Sequence, residues 1–199
     1  MIEEAYDFAL QVVGEARDLG YEMRPDGAQV FGRVPHVAPL AWLHRVYPPL
    51  QEHDIALLEG QLNRPIPSEY RSWLQLGNGF DAFSGAFVLY GRRSDYSRRP
   101  TVVQPFDLDL PNVLERLPDA NKDAFFIGSV LNAEYLLYVA PATGEVYACG
   151  RRSAVSMASW ESVHMLVISV MGTLRTAFDG EGRALRLVKL HELTREVLN

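Results

Sequence analysis

The chain has 199 residues, 48% of them hydrophobic, and its 25 acidic and 19 basic side chains give a formal charge of -6. That length and apolar content suit one domain with a substantial core, and the acidic balance disfavours nucleic-acid phosphate while favouring a basic protein partner. No apolar run reaches the roughly 18 residues of a membrane span, and Glu3, Glu4 and Asp7 stand where a signal peptide has a basic head, so no membrane partner and a cytoplasmic location are expected. Cys149 is the one cysteine, which excludes an internal disulfide and suits a reducing compartment.

Ile2, Ala5, Ala9, Val12, Val13, Ala16 and Leu19 recur at helical spacing and predict an amphipathic opening helix that stops at Gly20. Its stripe of alanine and valine suits intramolecular packing or a dimer seam. Asp26-Gly27 is a turn signal before a strand over 28–34. Pro35, Pro39, Pro48 and Pro49 then break the chain into an irregular wrap with one helical turn at Trp42, Leu43 and Val46. Ile55, Leu58 and Leu62 share a helical stripe that ends at Asn63 and Pro65. Pro67-Ser68-Glu69 has first-turn chemistry, because proline needs no amide partner there and a carboxylate favours the positive end of a helix. Tyr70, Trp73, Leu74 and Leu76 give that second helix its buried side. Gly77-Asn78-Gly79 accepts positive φ and halts it, and a strand follows over 86–90.

Further strands are predicted over 102–106, 125–130, 135–139, 146–149 and 155–158, with Pro141-Ala142-Thr143-Gly144 joining two of them as a hairpin. Ser159 is the expected cap of a long helix whose broad face is Trp160, Val163, Leu166, Val167, Val170, Met171, Leu174 and Phe178, closed by Asp179-Gly180-Glu181-Gly182. Leu187, Leu190, Thr194 and Val197 permit a last helix, although Leu185-Arg186-Leu187 alternates like a strand. The expected fold is a single α+β domain with a mainly antiparallel sheet of about six strands flanked by helices.

His36, His44, His53, His164 and His191 form neither the one-turn pair nor the Cys/His cluster that zinc needs. Asp107 and Asp109 flank Leu108 without the glycine-punctuated loop and further carboxylate of a calcium site, so no metal is expected. Arg151 and Arg152 would lower the thiol pKa of Cys149, with His164 as its base, but a cysteine at a strand end is more often a small buried apolar residue. Gly180-x-Gly182 follows a helix and lacks a third glycine, and no Walker A motif or nucleophile elbow occurs. No cofactor and no catalytic residue is therefore expected.

The conspicuous charge cluster is Arg92-Arg93-Ser94-Asp95-Tyr96-Ser97-Arg98-Arg99, just after a strand. Guanidinium groups interleaved with an aromatic clamp phosphate or meet an acidic partner surface, and a solvated loop is the plain alternative. The candidate partner-binding residues are Arg92, Arg93, Asp95, Tyr96, Asp107 and Asp109. Tyr135, Tyr138, Tyr147 and Trp160 read as an anchoring surface or as sheet packing.

From Ile55 the chain reads Ile55-x-x-Leu58-Glu59, a spacer, Ile66-Pro67-x-x-Tyr70-Arg71-x-Trp73-Leu74, then Asn78-Gly79 and an apolar strand ending Leu89-Tyr90-Gly91. This order resembles the SUKH superfamily, which takes in the Smi/Knr yeast cell-wall regulators and many bacterial immunity proteins. Ile66 stands where the family pattern has Leu and Trp73 where it has Phe, both apolar exchanges. Ile127-Gly128, the tyrosines of 135–138, Gly144-Glu145-Val146-Tyr147 and the helix after Ser159 follow the later family order, so the likeness covers 47–178 and leaves N- and C-terminal helical extensions. The resemblance implies a SUKH-like scaffold and a non-catalytic protein-binding domain: an immunity protein that binds and neutralises a cognate bacterial toxin, such as a nuclease. The alternative it implies is a regulatory or scaffold module that binds a cellular protein, as in Smi/Knr-type regulators. It carries no functional residue over, because its motifs are structural.

Overall fold

Among the described residues nine strands cross one antiparallel sheet in the order in which the chain makes them. The computed structural model describes residues 1–96 and 102–194. β1 (Tyr21–Met23), β2 (Gln29–Arg33) and β3 (Trp42–Val46) open a meander that α2 (Glu52–Leu62) and α3 (Ser68–Leu76) interrupt. β4 (Phe80–Ala82) and β5 (Phe87–Leu89) resume it. After a long connection with a π-helical turn at Leu110–Leu114, β6 (Phe125–Val130), β7 (Tyr135–Val139), β8 (Val146–Gly150) and β9 (Ser153–Trp160) complete it. α1 (Ile2–Gly14) precedes the sheet and α4 (Val163–Ala177) follows it. This is the expected α+β domain, with nine strands instead of about six.

Residues directly opposite on antiparallel strands share a face, so the register sorts the sheet into two surfaces. One row runs through Val46, Phe80, Leu89, Gly128, Leu137 and Ala148. It shares one core with Ile55, Leu58, Tyr70, Trp73, Leu74, Leu166 and Val170 of the helices. The opposite surface carries the row Val30, Arg45, Asp81, Val88, Ser129, Leu136, Cys149 and Ser156. α1 lies against both α3 and α4, and its buried Ile2, Ala5, Ala9, Val12 and Val13 belong to the same core. The alanine and valine stripe is therefore spent on intramolecular packing.

Side chains between Ile55 and Gly91 lock the helices to the sheet. Glu59 accepts the amide of Ile66 at 3.0 Å, while Arg71 pairs with Glu52 and lies 3.8 Å from Glu59, so the turn between α2 and α3 is closed from both sides. The Tyr70 hydroxyl lies between the carbonyls of Tyr90 and Ile127, 3.0 Å from the latter, and ties α3 to the β5–β6 junction. Asn78 brackets the backbone of Arg92, accepting its amide at 2.6 Å and donating to its carbonyl at 2.8 Å. Gly79 has φ 83°, and a Cβ there would meet the Leu89 carbonyl at 2.7 Å; one on Gly91 would meet the Asn78 carbonyl at 2.5 Å. Backbones pass too closely here for any side chain.

Several elements differ from expectation. Trp42–Val46 is a strand and not a helical turn: Trp42, Leu43 and Val46 fit both patterns, and the ladders to β2 and β4 decide. β1 and β4 have three residues each, too few for alternation to register. No strand forms over 102–106, because Pro105 has no donor and the Val103 amide goes to the Asp26 carboxylate at 2.8 Å. What remains is a single parallel bridge between Gly91 and Asp107.

β9 continues to Trp160, which pairs with Val146, so α4 is capped by Ser162 and not by Ser159. The Ser162 side chain accepts the Met165 amide at 3.2 Å. Near the C-terminus the described part of the stretch in which a last helix or a strand was allowed holds a 3-10 turn over Leu190–Glu192. Leu193 is held there by side chains of β9 and α4, its carbonyl accepting Trp160 Nε1–H at 2.9 Å and the Ser169 hydroxyl. Leu185 and Leu187 are exposed and in no strand, and Val197 lies outside the described residues. No helix of the described residues is long and apolar enough to cross a membrane.

Candidate functional site

After Tyr90 the chain doubles back on itself. The Gly91 amide donates to the Phe106 carbonyl at 2.8 Å, and the Leu108 amide donates to the Gly91 carbonyl at 2.9 Å. Gln104 braces the middle, its Oε1 accepting the amides of Ser94 at 3.1 Å and Asp95 at 3.4 Å. Asp26, from the β1–β2 turn, anchors the returning limb through Val103. All the candidate partner-binding residues sit on this connection.

They divide in use. Arg92 turns away to α2, where its guanidinium pairs with Asp54. Arg93 lies over the Tyr96 ring, 5.0 Å from its centroid, and donates to the Asp95 carbonyl at 3.2 Å. Tyr96 is exposed and donates its hydroxyl to Asp107; that bond first, then burial, pushes its pKa up to about 12. Asp107 also accepts the Asp109 amide at 3.2 Å, and burial followed by the charge of Asp107 raises the pKa of Asp109, which leads into the π-helical turn. Arg98 and Arg99 lie outside the described residues. The structure thus joins Arg93, Tyr96 and Asp107 in one series with both signs of charge, Tyr96 exposed and the two charged residues half-buried.

Behind the loop is a cavity of about 230 Å³ lined in part by Asp26, Tyr47, Pro48, Asp54, Asn78 and Arg92. Its carboxylates already hold protein donors: Asp26 accepts from Ala28 at 3.1 Å and from Val103, and Asp54 from Arg92. Among the described residues no group of three or more His, Cys, Asp or Glu side chains is placed to hold a metal ion.

Cys149 is fully buried on the sheet surface opposite the helices, and burial pushes its thiol up to about 11, far from a reactive thiolate. His164 sits in the first turn of α4, 3.8 Å from Glu4, and gives that thiol no base. The aromatic residues do not share one surface either. Tyr138 and Tyr147 oppose each other across the β7–β8 ladder and stack at 5.4 Å, with Phe126 at 5.6 Å from Tyr138. Tyr135 alternates to the other surface, and Trp160 is buried with its Nε1–H satisfied.

Two buried polar features stand apart from the loop: His44, expected only to lie outside any zinc pattern, and the Arg45–Asp81 pair, which local spacing does not single out. His44 is 1% exposed, its Nδ1 accepts the Phe83 amide at 3.4 Å, and burial pushes its pKa down to about 3. Arg45, the next residue, points to the opposite surface and pairs with Asp81 across β3 and β4. Burial raises the Asp81 pKa, with the Arg45 charge opposing it. The signal that locates both is strand alternation over 42–46, which the helical-turn reading hides. Comparison of the chain with protein-family models, with curated proteins and with solved structures gave no match.

Proposed function

We propose that this chain is a non-catalytic protein-binding domain on a SUKH-like scaffold, and that it acts as an immunity protein that binds a cognate bacterial toxin and neutralises it by occlusion. The observation that carries this reading is that the residues of the resemblance form one connected unit. Glu59 and Arg71 close the α2–α3 turn, Tyr70 ties α3 to the sheet, and Asn78, Gly79 and Gly91 interlock the approach to β4 with the exit from β5. With those residues occupied by the scaffold, recognition falls to loops and charged faces. The formal charge of -6 supports a basic partner such as a nuclease, steered electrostatically onto the domain.

Co-expression tests the proposal. A toxin encoded beside this gene kills a host without this chain and spares one that makes it, and the purified pair associates with an on-rate that falls steeply as salt rises. The reading fails if the neighbouring gene encodes no toxin and co-expression rescues no host. Recovery of a housekeeping complex in a pull-down points instead to the regulatory or scaffold module.

A further inference from the structure

α1 and α4 run side by side in the same direction. Glu4 lies 3.8 Å from His164 at one end of the pair, and Arg175 donates to Glu15 at 2.9 Å at the other. Their inner sides, with Ala5, Ala9 and Val12 on α1 and Leu166 and Val170 on α4, belong to the core. Their outer sides leave a groove of about 950 Å³. Its floor is Phe8, Met165 and Ile168, partly buried apolar side chains that pack on the core from outside.

The lining has helical spacing on both walls. Residues 4, 8 and 11 form a ridge on α1, and 165, 168, 172 and 176 form one on α4. Two parallel ridges with an apolar trough between them make the seat that a third helix takes. From His164 to Thr176 the α4 wall rises about 18 Å, or about three helical turns.

Charge selects the kind of helix. α1 contains no basic residue, and Glu3, Glu4 and Asp7 are exposed along its first two turns. Glu4 already holds the N-terminal ammonium at 3.0 Å and Arg175, the cation at the far end, is matched by Glu15, whereas Asp7 makes no ion pair among the described residues. The unmatched charge of the groove is negative and lies beside its apolar floor.

We infer that the α1–α4 groove is the docking site for a basic amphipathic helix of about three turns on the partner protein, with apolar side chains on Phe8, Met165 and Ile168 and Lys or Arg over Asp7, beside Glu4. This rests on the protein-binding reading and moves the main contact from the 92–109 loop, whose Arg92 is committed to Asp54, to the layer of helices.

The probe is a capped peptide of about fourteen residues, leucine and lysine in a helical amphipathic pattern, titrated against the full chain by fluorescence anisotropy at low salt. The expected result is saturable binding that weakens at least about tenfold in Glu4→Lys/Asp7→Lys and in Ile168→Glu, and not in Glu134→Lys at the β6–β7 turn. Glu4 and Asp7 are exposed, so the charge variant retains the fold even if Ile168→Glu does not. Equal loss in Glu134→Lys, no loss in the charge variant, or equal binding of a peptide with the same composition and scrambled pattern overturns the assignment. The probe is not a toxin, so failure here leaves host rescue untouched, and failure of host rescue leaves the groove untouched.

Discussion

Glu69, in the first turn of α3, accepts the amide of Val163, the first residue of α4, at 2.8 Å across 94 positions of sequence. The other carboxylate oxygen accepts the His164 amide at 3.1 Å. The first four amides of a helix have no partner within it. Ser162 satisfies that of Met165, so the cap of α4 is shared between its own N-cap serine and a different helix. One negative charge then serves the positive ends of both α3 and α4. Glu69→Ala is expected to lower stability by about 1–2 kcal/mol, and Glu69→Gln by less, since an amide oxygen still accepts one bond. Urea unfolding gives the loss, and amide exchange at Val163 and His164 localises it; unchanged exchange at both would refute the shared cap.

Glu69 also marks how far sequence reaches. Its place in a first turn is legible from Pro67-Ser68-Glu69, but its bond to α4 follows from tertiary placement that leaves no local signature. β6, β7 and β8 are legible because each has at least five residues and a turn at its ends. β1 and β4, at three residues, exist through their ladders alone. The 92–109 segment is legible as a charged loop. The bonds that decide its chemistry, Arg92 to Asp54 and Tyr96 to Asp107, join residues 38 and 11 positions apart and leave no local spacing to read. The α1–α4 groove comes from pairing the first α-helix with the last, which no window of sequence contains.

His44 gives the fold a pH dependence with a definite sign. Burial takes its pKa from an ordinary 6.5 down to about 3, so the folded chain keeps it neutral while the unfolded chain binds a proton below 6.5. Its contribution is complete above about pH 6.5 and is lost as pH falls towards 3. The slope is about 1.4 kcal/mol per pH unit. Between pH 6.5 and 5 the wild type is expected to lose about 2 kcal/mol in urea unfolding, and His44→Leu is expected to show little of that slope. Equal slopes in the two proteins would assign the proton to another group.

Arg45 and Asp81 face each other directly across β3 and β4, between Val30 and Val88 in the same row. The side chains are 29% and 4% exposed, so the carboxylate bears most of the desolvation while the guanidinium keeps part of its water. Removing one partner is therefore asymmetric. Arg45→Met strands a buried carboxylate and is expected to cost about 3 kcal/mol or more at pH 7, whereas Asp81→Leu leaves a cation that still reaches solvent and costs less. Val30 and Val88 are both buried, so Arg45→Met/Asp81→Leu continues an apolar row and is expected within about 1 kcal/mol of wild type. The pH dependence distinguishes a stranded charge from lost packing. Burial already raises the Asp81 pKa and the Arg45 charge holds it back, so in Arg45→Met the folded-state pKa rises further above the unfolded one. A group with a raised folded pKa favours the fold as it protonates, and the deficit of Arg45→Met relative to wild type should shrink as pH falls from 7 to 5. A double-mutant cycle by urea unfolding at both pH values measures the coupling. Additive losses, or a deficit in Arg45→Met that does not change with pH, would mean that the pair is an exposed contact of little worth.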